Sequence, residues 1–147
     1  MIMFRIRSGS RGQAAVEMAL SVVVLGGMLV VACDFARLFY TTLEVNNAAR
    51  AGVQYGAQNS TTAANLAGMQ TAAQNDAANI TGMTATASKY CSCPNGSVVS
   101  CPTGSPPCSD MRIYVQVQTQ ATFHTLVTYP GIPSSIVVNG NAIMREQ

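Results

Sequence analysis

Four of the five cysteines lie together in a segment rich in Pro, Gly and Ser. They span eighteen residues and are Cys91, Cys93, Cys101 and Cys108. Thiols at this spacing can close two disulfides, or they can bind zinc as thiolates. The spacing lacks paired C-x-x-C knuckles, so the choice depends on the compartment in which the segment lies.

Catalytic groups are scarce in this chain. The single histidine, His124, has no second candidate near it in the sequence, and one histidine makes neither a triad nor a metal site. The six acidic residues form no acid–base pair, since Asp34 and Glu44 flank a helical pattern that explains them. We therefore predict no enzyme, no catalytic residue, no cofactor and no metal, with His124 on the surface.

Glu17 is the other group of interest, because it interrupts an apolar run. From Ala14 to Cys33 there are twenty residues with this one charge. Twenty helical residues rise about 30 Å, the thickness of the hydrocarbon core of a bilayer. A carboxylate there costs a few kcal/mol. Glu17 therefore either lies at the lipid surface, outside a shorter span from Met18, or has a function.

The basic residues orient this run. Arg5, Arg7 and Arg11 precede it with no acid among them, and by the positive-inside rule they place the N-terminus in the cytoplasm. Residues from Asp34 onward then lie outside. No basic patch remains beyond Gln13 that could follow a phosphate backbone, so we predict no nucleic-acid partner.

An extracytoplasmic location favours disulfides over zinc for the four clustered cysteines. Of the three connectivities we favour Cys93–Cys101 nested inside Cys91–Cys108. The reason is that Pro94-Asn95-Gly96-Ser97 forms a turn that brings Cys93 back towards Cys101. Cys33 is left as a free thiol.

The spacing of apolar residues predicts the helices and strands that carry these side chains. A helix is predicted from Ala14 to about Ala57, and a second helix over Ser60–Ile80, with Thr61 or Thr62 as N-cap and Gly82 at its end. Apolar and polar residues then alternate from Met111 to Phe123, which predicts a strand with His124 on the polar side. Further strands are expected over Thr84–Tyr90 and Ile136–Met144, the latter after a turn at Tyr129–Pro133.

The predicted fold class is α+β. A long transmembrane helix continues into a stalk, and a small head with a second helix and an antiparallel sheet follows. The expected boundaries are a leader at 1–12, the transmembrane helix at 13–33, the stalk at 34–58 and the head at 59–147. The Cys-rich loop lies at 91–108.

A basic leader, Gly12, four residues and then Glu17 in an apolar helix resemble the processing site of type IV pilins. The stretches GQAAVEMAL and CDFARLFYTTLEVNNAARAGVQYGA are more specifically similar to the TadE-like family of the tight-adherence (Tad, Flp) pilus system. This resemblance covers about Arg11 to Ala57, with a looser echo at Asn141–Arg145. TadE-like proteins are regarded as minor pseudopilins, with a pilin-like fold.

The resemblance implies cleavage between Gly12 and Gln13, so that Glu17 becomes the fifth residue of the mature chain. It assigns Glu17 to assembly, paired with the N-terminal amine of a neighbouring subunit. The implied partners are prepilin peptidase, other pilins and pseudopilins, an inner-membrane assembly platform and membrane lipid. The implied location is the bacterial inner membrane, and the implied function is pilus assembly for adhesion, biofilm formation or secretion.

An alternative function starts from Cys33. Val30-Val31-Ala32-Cys33 fits a loose lipobox, in which Cys33 would be acylated after removal of everything before it. The chain would then be a lipidated or membrane-tethered envelope protein with a disulfide-bonded, ligand-binding head. The apolar core of about nineteen residues exceeds the usual length of such a leader.

Overall fold

The computed structural model describes residues 10–101 and 106–147, without the side chains of residues 10 and 11. Residues 1–9 of the predicted leader, including Arg5 and Arg7, lie outside the described residues. Helix α1 extends over Ser10–Gly56, as the helical periodicity predicted. The chain divides into two compact units between Ala36 and Arg37.

The first unit is the apolar half of α1. Its residues from Gly12 to Cys33 are all exposed, with Val23 74% accessible, so no described part of the chain covers them. Among the described residues one helix, Gly12–Gly56, is long and apolar enough to cross a membrane. Valines are weak helix formers in water, but in lipid the backbone must satisfy its own hydrogen bonds, which favours helix. This half of α1 is therefore suited to membrane anchoring.

The second unit combines residues 37–56 of α1 with two short helices and a sheet. Helices α2 (Ser60–Ala64) and α3 (Leu66–Asp76) follow α1. Strands β1 (Thr84–Ser92), β2 (Val98–Val99), β3 (Arg112–His124) and β4 (Ser135–Arg145) form an antiparallel sheet in the order β2-β1-β3-β4. The α+β class and the three predicted strands are confirmed, and the two-residue β2 had no signal in the sequence.

The predicted second helix is wrong in its extent. It is interrupted at Asn65, whose side chain accepts a hydrogen bond from the backbone N–H of Gly68 at 2.9 Å and caps α3. Asn59, rather than a threonine, caps α2 by accepting from the N–H groups of Thr61 and Thr62. Asparagine side chains compete for backbone donors, so they end and begin helices within an Ala-rich pattern. The end at Gly82 is also wrong, because α3 ends at Asp76.

Small residues let the sheet approach α1 closely. A Cβ on Gly52 would lie 2.9 Å from the Met69 carbonyl oxygen and 3.0 Å from Val117, and one on Gly140 would lie 2.5 Å from the Val45 carbonyl oxygen. The Thr119 hydroxyl is buried and donates to the same Val45 oxygen at 2.6 Å. The core around these contacts consists mainly of Val45, Ala48, Val53, Met69, Ala73, Val115, Val117, Ala121, Phe123 and Val138.

Candidate assembly helix and disulfide-bonded loop

Glu17 lies on the exposed surface of the apolar half of α1. Gln13 is four residues earlier on the same helix, one turn or about 6 Å along the axis. The residues that follow Glu17 up to Cys33 are uncharged. Glu17 is thus the only acidic side chain at the start of a helix whose next four turns are suited to lipid.

The glycines of this half of α1 have open space around them. A Cβ built on Gly12, Gly26 or Gly27 would meet nothing within 4 Å. Within residues 10–101 and 106–147, no packing therefore requires glycine at these positions. A requirement for Gly12 would have to come from another molecule, such as a peptidase.

The bond between Gly12 and Gln13 lies in the first turn of α1, which begins at Ser10. The first four N–H groups of an α-helix have no intrahelical acceptor. Cutting this bond would therefore remove only the helical hydrogen bonds that carbonyl groups before Gln13 accept. The helix from Gln13 onward would keep its own bonds.

Two disulfides join the four clustered cysteines, Cys91 with Cys101 and Cys93 with Cys108. The sequence separations are 10 and 15 residues, and closing a loop of ~15 residues stabilises a fold by about 3 kcal/mol through the unfolded chain. Cys91 and Cys93 are buried, so the bridges attach the loop to the inner side of the sheet. Residues 102–105, within this loop, are outside the described residues.

The nested pairing that we favoured from the sequence is wrong. Strand pairing sets Cys91 opposite Val99, and the N–H of Cys93 donates to the Ser97 carbonyl at 3.0 Å. Cys93 thus begins the turn and lies beside Ser97. Cys101 is four residues beyond Ser97, and an extended chain of that length carries it about 13 Å away from Cys93. Cys101 instead lies diagonal to Cys91, with Cα atoms 5.1 Å apart.

Cys33 is a free, exposed cysteine within α1. Thiol counting on denatured, unreduced protein is therefore expected to find one reactive cysteine, and peptide mapping should recover Cys91 linked to Cys101. Five reactive thiols in protein isolated from the envelope would contradict the disulfides. Recovery of Cys93 linked to Cys101 would contradict the pairing.

His124 ends β3 on its exposed, polar side. Over residues 10–101 and 106–147, no group of three or more His, Cys, Asp or Glu is placed to hold a metal ion. Asp34, which the sequence analysis placed only beside a helical pattern, is buried. The Arg37 guanidinium lies over the Phe123 ring at 5.3 Å, a contact that no local pattern indicated.

Comparison with known families identifies the helical segment. The family model described as TadE-like protein matches residues 12–54. The match begins at Gly12, includes Glu17 and Cys33, and ends in the part of α1 that packs on the sheet. No curated protein and no solved structure gives a match.

The resemblance to the TadE-like family is therefore confirmed over residues 12–54, which are less than half of the chain. Pilus-associated proteins of this kind are generally structural rather than enzymatic. The looser echo at Asn141–Arg145 lies outside the match and stays a prediction.

Proposed function

We propose that this chain is a minor pseudopilin-like membrane subunit that assists assembly of a Tad-type pilus used in adhesion, biofilm formation or secretion. One observation carries the proposal. The TadE-like match coincides with α1, whose apolar half has an exposed surface and Glu17 near its start. Such a helix can anchor in lipid and pack beside the helices of other subunits.

Processing between Gly12 and Gln13 would prepare Glu17 for this role. Cleavage creates an ammonium at the N-terminus of α1, where the helix dipole disfavours positive charge and favours an acid. Glu17 supplies that acid one turn away, to its own chain or to a neighbouring one. A carboxylate in lipid becomes tolerable when it has such a partner.

The location and partners follow from this proposal. The apolar half of α1 would cross the bacterial inner membrane with its N-terminus in the cytoplasm, where prepilin peptidase removes the leader. Residues from Asp34 onward would lie outside, where an oxidising space maintains the two disulfides. Other pilins, pseudopilins and the assembly platform would contact α1.

The test is the mature N-terminus in piliated cells. We expect mass spectrometry to find a chain that begins at Gln13, and Gly12→Val to retain the full leader. A Cβ at position 12 would meet no described atom within 4 Å, so an uncleaved Gly12→Val chain cannot be attributed to disturbed packing among the described residues. Gly26→Val, at an equally open position, is the matched control and should be processed normally.

The same measurement separates this proposal from the lipoprotein alternative. An intact Met1 in wild-type protein would contradict processing at Gly12, and an acylated chain beginning at Cys33 would establish the alternative. Two observations support the pseudopilin proposal. α1 runs unbroken through Cys33, and the TadE-like match extends across it.

A further inference from the structure

The loop between β3 and β4, residues 125–134, is unusually apolar for an exposed segment. Its ten residues include no Asp, Glu, Lys or Arg. Leu126, Val127 and Ile132 are 60%, 48% and 54% accessible. Exposed apolar residues grouped in this way mark a contact with another surface. We call residues 125–134 the apolar loop.

Backbone hydrogen bonds hold the apolar loop in a defined shape. The N–H of Thr125 donates to the Ser134 carbonyl at 3.1 Å and closes the base of the loop. The N–H of Ile132 donates to the Tyr129 carbonyl at 3.2 Å across Pro130 and Gly131. Gly131 has a φ of 81°, which suits the third position of a type II turn. The turn therefore holds Ile132 directly after the tip that Pro130 and Gly131 form.

The direction of β3 within the second unit places the apolar loop at one end of that unit. A Cβ built on Gly56 would lie 3.3 Å from the Val115 side chain, and one built on Gly52 would lie 3.0 Å from the Val117 side chain. Thr119 then bonds to Val45, and Phe123 lies against Arg37. β3 thus runs antiparallel to residues 37–56 of α1. Its last residues lie near Arg37, where the second unit begins, and the apolar loop follows them.

That end of the unit is close in the chain to the membrane-anchoring run. Arg37 is the fourth residue after Cys33, so their Cα atoms can be no more than about 14 Å apart in any backbone conformation. Leu126 is three residues beyond Phe123, which contacts Arg37. A bilayer crossed by the run up to Cys33 would therefore be within reach of the apolar loop.

We propose that the apolar loop inserts into the interfacial region of the membrane that α1 crosses, with phospholipid as its partner. The absence of charge suits the boundary between headgroups and acyl chains, and Tyr129 is a residue type enriched at that depth. This inference requires membrane anchoring by α1 but not the pilus function.

Lipid contact can be measured because the natural chain has no Trp. We expect Ile132→Trp, in the full-length chain reconstituted in bilayers of zwitterionic phospholipid, to lose about half of its fluorescence when the acyl chains carry bromine near the headgroup. The matched control is Val98→Trp. Val98 is 69% accessible on β2, which pairs with β1 beside the start of β3, at the opposite end of the unit. Its indole should keep nearly all of its fluorescence.

Equal responses at the two positions would overturn the proposal. Shielding of the indole at position 132 from aqueous iodide, without quenching by brominated lipid, would also overturn it and would indicate a protein contact. Thiol counting on each variant, with one reactive cysteine expected, confirms that the disulfides have formed. If Ile132→Trp fails this check, Leu126→Trp in the same loop replaces it, with the same two outcomes.

Discussion

Replacing Gly140 with alanine is expected to lower the unfolding midpoint of residues 37–147 by about 10 °C or more. The added Cβ would lie 2.5 Å from both the Val45 carbonyl oxygen and the Thr119 hydroxyl. Overpacking of this kind costs about 1–3 kcal/mol, and each kcal/mol lowers the midpoint of a domain of this size by roughly 4–8 °C. The upper part of this range applies, because one of the two obstacles is backbone and cannot rotate away.

The loss can be followed by near-ultraviolet circular dichroism of tyrosine. All five tyrosines lie between Tyr40 and Tyr129, so the signal reports the second unit and not the apolar half of α1. Asn139→Ala is the control on the same strand. Asn139 is exposed, and the variant loses only the hydrogen bond that the Gln120 side chain donates to it. We expect that variant to unfold within about 3 °C of the natural chain.

A second variant separates the two contacts of Gly140. Thr119→Ala combined with Gly140→Ala removes the hydroxyl obstacle but leaves the Val45 carbonyl in place. The pair should therefore recover little of the lost stability. An unfolding midpoint for Gly140→Ala close to that of the natural chain would contradict the close packing of β4 on α1.

Glu17→Gln is expected to reduce co-purification with pilin or assembly-platform partners by about tenfold or more, a loss that needs only ~1.4 kcal/mol of pairing. Glutamine keeps the size of the side chain and its hydrogen-bonding groups but removes the charge. Glu17 lies outside the compact unit of residues 37–147, so that unit should fold and form both disulfides as before. The variant should also insert and be processed at Gly12.

Glu44→Gln is the matched control on the same helix. Glu44 lies in the second unit, near Arg50 and Asp76, and the proposed docking of N-termini does not involve it. Its replacement should leave piliation and complex formation close to normal. Normal piliation by the Glu17→Gln variant would show that the carboxylate has no role between subunits.

The partner of Glu17 can be identified separately. If Glu17 pairs with the ammonium of Gln13 in its own chain, the Glu17→Gln variant will lose that pairing within one subunit and leave complexes intact. If Gln13 cyclises to pyroglutamate, the ammonium is absent and neither pairing forms. The mass of the mature N-terminus distinguishes these states, because cyclisation removes one ammonia.

Local chemistry was enough to predict the main elements of this protein. The apolar run and the spacing from Gly12 to Glu17 predicted the helix and its resemblance to the TadE-like family, because both are properties of consecutive residues. Alternation from Met111 to Phe123 predicted β3 and its buried side, because side chains of a strand alternate between faces. The apolar loop was visible only as a turn at Tyr129–Pro133.

Contacts between distant residues decided the rest. The pairing of Cys91 with Cys101 depends on the register of β1 with β2. Because β2 has only two residues, no alternation in the sequence reveals this register. The interruption at Asn65 depends on which backbone donors its side chain meets. The antiparallel course of β3 along α1 requires glycine at positions 52 and 140, where Val117 and Val45 approach from far along the chain. These contacts form only when the chain packs, and they place the apolar loop near Arg37, at the end of the second unit where that unit begins.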